Sequence, residues 1–169
     1  MPGQGSRFWF SARLARRDAG TGRSRAPAES AEVALRRDHA GRRILVAEDE
    51  PVNAEIIDMV LQGIGLEVVQ VQDGVAAVEA ASAGGFDLVL MDMQMPRLDG
   101  VEATRRIRAL GTDAARVPIV ALTADVNEED RQAALAAGMD DFVTKPFAPA
   151  VVYAALLRCF EARVRSAAA

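Results

Sequence analysis

From Arg43 onward the apolar positions follow two alternating patterns. Short continuous runs at Ile44–Ala47, Val68–Val71, Phe86–Met91, Val117–Leu122 and Phe142–Thr144 predict strands. These runs lack polar alternation, as expected for parallel strands covered by helices on both faces. Between them, apolar residues recur at three- and four-residue steps, which predicts helices. Pro51 suits a first helical turn, Ile56, Ile57, Val60, Leu61 and Ile64 form its apolar stripe, and Gly65 ends it. Asp73 caps a helix over Val75–Ala83, and Gly84-Gly85 stops it. Val101, Thr104, Ile107 and Leu110 share one helical face. A further helix runs from about Asn127 to Ala137, with Glu128, Glu129 and Asp130 in the first turn, where the macrodipole favours acids. The last carries Val151, Val152, Ala155, Leu156, Cys159 and Phe160 on one side. Five strand–helix pairs in about 120 residues predict a doubly wound α/β sheet.

In such a sheet, sites form beyond the carboxyl ends of the strands. The first strand runs into Glu48-Asp49, the third into Asp92, the fourth into Thr123 and the fifth into Lys145. Three carboxylates converging would repel one another. A hard divalent cation resolves that repulsion, and Mg²⁺ accepts one or two carboxylates while keeping several waters. The basic residues point the same way: nineteen of the twenty are arginine, and the one lysine is Lys145. A compact ammonium reaches a phosphoryl oxygen or a carboxylate where a guanidinium would not fit. Pro146 follows it, and a cis Lys145–Pro146 bond would aim the ammonium into the site.

Charge divides the chain in two. Residues 1–43 hold ten arginines against four acids, whereas residues 44–169 have a net charge of −10. The basic stretch is rich in Gly, Ala, Ser and Pro without sustained apolar period, and is expected to be a mostly disordered arm or linker over 1–42. A polybasic arm can touch nucleic acid or anionic lipid; a misassigned start codon or a leftover linker accounts for it equally well. It lacks the apolar centre of a secretory signal, and no apolar run approaches the ~20 residues of a membrane span. A single cysteine, Cys159, excludes a disulfide framework or a cysteine-rich zinc site. A cytoplasmic location is the expectation.

The segments ILVAEDEPVN, DLVLMDMQMPRLDGVEATRRIR, VPIVALTAD and GMDDFVTKPF, in that order, resemble the motifs of response-regulator receiver domains of two-component signalling. The resemblance runs from Arg43 to about Arg163, and the second segment is most similar to receivers attached to hybrid sensor histidine kinases. It implies a flavodoxin-like five-stranded sheet of order 2-1-3-4-5 in a receiver domain over 43–165. It implies that Asp92 is the phosphoacceptor, forming an acyl phosphate, with Thr123 and Lys145 each meeting a phosphoryl oxygen. Asp49, Asp92 and the main-chain carbonyl of Gln94 would hold Mg²⁺, and Glu48 would act through water. Pro96 and the Asp99-Gly100 turn would shape the adjoining loop. Thr123 and Phe142 occupy the switch positions, the phenylalanine without a hydroxyl to bond, and Gln94 and Asp125 fall where the family tunes phosphate lifetime.

The implied protein catalyses only its own phosphotransfer and dephosphorylation. The implied partners are a sensor histidine kinase or a histidine phosphotransfer protein, and a downstream protein reading the face over 123–160. The alternative origin is the receiver portion of a hybrid kinase relaying its phosphoryl group onward. No kinase core is read in the arm and no DNA-binding domain after Arg163. There is no Walker loop; Gly63-Ile64-Gly65 follows a helix and reads as its stop. A haloacid-dehalogenase-type phosphatase would want an aspartate where Gln94 stands. His39, in the arginine-rich stretch, reads as a tail residue rather than a phosphodonor.

Overall fold

The structure is a computed structural model and describes residues 29–124 and 128–167. Helix α1 spans Ala31–Asp38; then come β1 (Arg43–Ala47), α2 (Pro51–Gln62), β2 (Glu67–Val71), α3 (Gly74–Ala83), β3 (Leu88–Asp92) and α4 (Gly100–Arg108). A 3-10 turn at Asp113–Arg116 leads to β4 (Ile119–Thr123), α5 (Glu128–Ala137), β5 (Asp141–Thr144) and α6 (Pro149–Ala167). The five strands are parallel in the order β2-β1-β3-β4-β5.

Strand residues alternate between two cores, although both faces are apolar. Ile44, Val46, Leu88, Leu90, Val120, Leu122 and Val143 face α2 and α6. Leu45, Ala47, Val89, Met91, Ile119 and Ala121 face α3, α4 and α5. The register aligns Ala47 with Met91, Asp92 with Leu122 and Thr123 with Thr144, so the residues that end the strands lie at one level. Asp73 and Asp99 cap α3 and α4, accepting from Ala76 N at 2.9 Å and Glu102 N at 2.8 Å.

Strand boundaries differ from the sequence reading by one or two residues, most at the third and fourth strands. The third strand starts at Leu88 and includes Asp92, while Phe86 lies before it under the Arg43 guanidinium, 5.1 Å from the ring centroid. The fourth starts at Ile119, two residues later than expected.

The segment expected as an arm contains a helix. Ser30 caps α1 by accepting from Val33 N, Leu35 is fully buried in the α2–α6 core, and α1 packs on α6. His39 is therefore no tail residue. It is buried with its ring stacked on Phe160 at 4.6 Å, and its Nδ1 accepts from Arg42 Nε at 3.1 Å. Periodicity missed this helix because eight residues with one large buried side chain make no stripe. Residues 1–28 of the expected arm lie outside the described residues.

Candidate phosphoryl-transfer site

Asp92 ends a strand whose five residues are all buried, and is itself only 4% exposed. A carboxylate in that position needs compensation. Lys145 Nζ supplies it from the end of β5, 2.5 Å from Asp92 Oδ2, while Gln94 N donates to Oδ1 at 3.1 Å. The same ammonium donates to Glu48 Oε1 at 2.8 Å and lies 2.7 Å from Oε2, and Asn53 Nδ2 donates to Oε1 at 3.1 Å. Beyond that ion-pair contact, Glu48 Oε2 is buried with no hydrogen-bond partner of its own. Burial pushes the Glu48 carboxyl above its usual range, and the Asp92 charge adds to this against the bonds from Lys145 and Asn53. Burial alone would depress the Lys145 ammonium, but its bonds to Asp92 and Glu48 leave it raised. The Lys145–Pro146 peptide bond is cis.

One oxygen from each of Glu48, Asp49 and Asp92 lies within 4.8 Å of the others. Together with Thr123, Lys145 and Gln94 they line a cleft of about 520 Å³. The sequence reading thus named groups that the fold brings together. Phe142 is not among the cleft-lining residues. It sits half-buried on β5 opposite Ala121, with the α3–α5 core below and the Arg131 guanidinium of α5 6.0 Å from its centroid. Asp125 lies outside the described residues.

The fit to a hard cation rests on this geometry. The donors are all oxygen, three carboxylates converge against one ammonium, and one buried carboxylate oxygen lacks a hydrogen-bond donor. Mg²⁺ would satisfy that oxygen directly or through a bound water.

Several supporting residues escaped the sequence reading. Asn53 orients Glu48 from the first turns of α2, five residues downstream, a spacing with no signal of its own. Arg97, the one non-glycine with positive φ among the described residues, forms an ion pair with buried Asp73 and ties the loop after Asp92 to α3. Gly100 is required by contact: a Cβ there would lie 2.0 Å from the Asp92 carbonyl oxygen. The Asp-Gly turn was the readable part of that constraint.

Comparisons with known proteins bear on the family and the fold. The family model for the response regulator receiver domain matches residues 44–157. Sensor protein GacS of Pseudomonas syringae pv. syringae is 45% identical over 106 residues, 62% of this chain and 12% of that protein. Autoinducer 2 sensor kinase/phosphatase LuxQ of Vibrio vulnificus is 42% identical over 109 residues, again 12% of its length. The chain thus spans a small part of the curated relatives it matches. The receiver domain of a sensor histidine kinase from Pseudomonas aeruginosa PAO1, solved with a magnesium ion coordinated in its active-site cleft, superposes with a TM-score of 0.68 at 44% identity, over 72% of this chain and 99% of that one. Chemotaxis protein CheY4 of Vibrio cholerae superposes at 0.67 and 28% identity, over 71% and 99%.

Proposed function

This chain belongs to the response regulator receiver domain family, and on that premise we propose that it is the phosphoacceptor of a His-Asp phosphorelay, phosphorylated on Asp92 with Mg²⁺ held beside it. The observation that carries the reading is a nearly buried strand-end carboxylate bonded to the chain's one lysine and grouped with two further carboxylates. An Asp92 oxygen attacks the phosphorus of a phosphohistidine. The phosphorus–nitrogen bond breaks, and its electron pair returns to the imidazole. Lys145 neutralises charge on one phosphoryl oxygen and the Thr123 hydroxyl donates to another. Asp49, Asp92 and the Gln94 carbonyl, with Glu48 through water, would hold the cation, which supplies further charge neutralisation. Such transfers depend on positioning and electrostatics, so the domain over 43–165, with α1 docked on it, would catalyse only its own phosphotransfer and dephosphorylation.

Two partner modes follow. A sensor histidine kinase or histidine phosphotransfer protein must bring its imidazole to the cleft. Helix α2 starts at the cleft and exposes Val52 (61%), Ile56 and Met59 (61%) at i, i+4 and i+7, an apolar stripe suited to a partner helix. The names of further relatives, hybrid signal transduction histidine kinases of Dictyostelium discoideum, support the alternative origin in a hybrid sensor kinase that relays the phosphoryl group onward. A downstream protein would read the face over 123–160, repacked when Thr123 turns toward the phosphoryl group and Phe142 follows. A cytoplasmic setting suits Cys159, the one cysteine, which is buried without a disulfide partner and has its thiol pushed up to about 12 by burial. Among the described residues no helix is long and apolar enough to cross a membrane.

Incubation with acetyl phosphate and Mg²⁺, followed by intact mass measurement, tests the assignment. One phosphoryl adduct is expected, abolished by chelating the metal and by Asp92→Asn. An adduct of unchanged yield in Asp92→Asn would falsify it.

A further inference from the structure

The loop between Asp92 and α4 would have to present a main-chain carbonyl to the cation. Gln94, which would supply it, is exposed, so no burial of its side chain fixes that direction. The loop is instead closed on itself. Gln94 N donates to Asp92 Oδ1, and Gly100 N donates to the Met93 carbonyl, each at 3.1 Å. Between them Leu98 N donates to the Pro96 carbonyl at 2.7 Å, across Arg97 at φ 64°. A three-residue turn with positive φ at its centre is rare and strained. Glycine or asparagine would take such a position more readily. What arginine adds there is its side chain.

That side chain meets Asp73. The Arg97 guanidinium pairs with Asp73 Oδ2, while Asp73 Oδ1 accepts from Ala76 N and caps α3. Asp73 is only 7% exposed, so its second oxygen would be costly to leave without a donor. The next residue, Gly74, lies against the same loop: a Cβ there would be 2.2 Å from the Leu98 carbonyl oxygen. Leu98 is itself buried in the α3–α5 core. Arg97 and Leu98 are thus fastened to Asp73 and Gly74, one by charge and the other by close approach. Neither Arg97 nor Asp73 lines the cleft, so either can act on it only through the loop.

We propose that Arg97 and Asp73 are positioning residues for the cation: their ion pair holds the strained turn, and the turn holds the Gln94 carbonyl beside Asp92. That role rests on the metal reading above; the hold on the loop does not. Groups that orient a metal ligand without touching the metal change its affinity strongly.

The full-length chain is compared with Asp73→Asn, Arg97→Gln, the two combined, Arg97→Lys and Arg97→Gly. Asp73→Asn keeps the α3 cap, because asparagine caps as well as aspartate. In calorimetric Mg²⁺ titrations, Asp73→Asn and Arg97→Gln should each bind about tenfold more weakly, the lower end of the cost of losing a group that supports a metal ligand. The combination should be no weaker than either alone, since both remove one interaction. Arg97→Lys restores the charge and should recover most of the loss. Arg97→Gly relieves the turn and should still bind weakly, because it lacks the side chain. Without metal, hydrogen exchange at the Gln94 and Gly100 amides should quicken in the weak-binding variants and stay near natural in Arg97→Lys. Natural Mg²⁺ affinity in Asp73→Asn and Arg97→Gln overturns the positioning role, even if exchange quickens. Natural affinity in Arg97→Gly overturns the part given to the side chain, and losses that add in the combination overturn action through the pair. Mg²⁺ binding that Asp49→Ala leaves unchanged would defeat the metal reading and the positioning role together. Binding that depends on Asp49 but not on Arg97 or Asp73 overturns the positioning role alone.

Discussion

The two sides of the sheet are built from different materials. The α2–α6 side packs Leu35, Ile44, Ile57, Leu61, Ile64, Leu88, Leu90, Leu156 and Phe160, and α1 closes its edge. The α3–α5 side combines Leu45, Val89, Leu98, Ile107, Val117 and Ile119 with six alanines, Ala47, Ala77, Ala81, Ala103, Ala121 and Ala134, and with Met91, Met93 and Met139, and has no fully buried aromatic among the described residues. Large branched and aromatic side chains bury the most area, at about 25 cal/mol per Å². Alanine contributes little area, and methionine adapts to more than one packing. The same sheet therefore has one firm face and one adaptable face. The adaptable face carries α5, whose only large apolar residue, Leu135, is 46% exposed. On the proposed reading, the domain would answer a phosphoryl group by moving its adaptable layer and keeping its firm layer as the reference.

The strongest way to break this contrast is by truncation on each side. Phe160→Ala should cost about 3–5 kcal/mol, the usual range for a buried aromatic. Leu135→Ala should change stability by under about 0.5 kcal/mol, as surface substitutions do. Denaturant melts read both. Similar losses for the two would erase the difference between the layers.

Cation binding sharpens the contrast at the site between the layers. Mg²⁺ at about ten times its Kd should add roughly 1.4 kcal/mol by linkage, measured as a thermal shift. Asp49→Ala should lose most of that response. An equal shift in the variant would mean that the ligand set is misassigned.

The smallest effect concerns one weak point in the firm layer. Burial, followed by the nearby Arg42 charge, holds the His39 imidazole below its ordinary range. A depressed value means that the unfolded state binds the proton more readily. The stability from docking neutral His39 is thus complete above the ordinary imidazole value of about 6.5 and is lost as pH falls through the folded value. Urea melts at stepped pH should show the decline, and His39→Phe should flatten it. An unchanged slope in the variant would place the titrating group elsewhere.

The sequence made the strands, the site and the fold class readable because each rests on local chemistry. Apolar runs stop at carboxylates, caps such as Asp73 precede their helices, and Lys145 stands alone among arginines. What it hid is tertiary. Helix α1 owes its place to Leu35 and to a stack between His39 and Phe160, which are 121 positions apart. Arg108, read only as part of a helix, donates to the carbonyls of Gly138, Ala115 and Val117 and to Asp140, binding α4 to the ends of three other segments. No periodicity announces such long-range bonds. The difference between the two cores was visible in composition but unassigned until the register divided the strand residues between faces.

Hydrogen exchange with and without the phosphoryl mimic beryllofluoride, in the presence of Mg²⁺, tests the account most directly. Changes should concentrate over residues 123–145, spare the helix Pro51–Gln62 and the docked α1, and vanish in Asp92→Asn. Uniform changes across both layers, or changes that persist in Asp92→Asn, would contradict it.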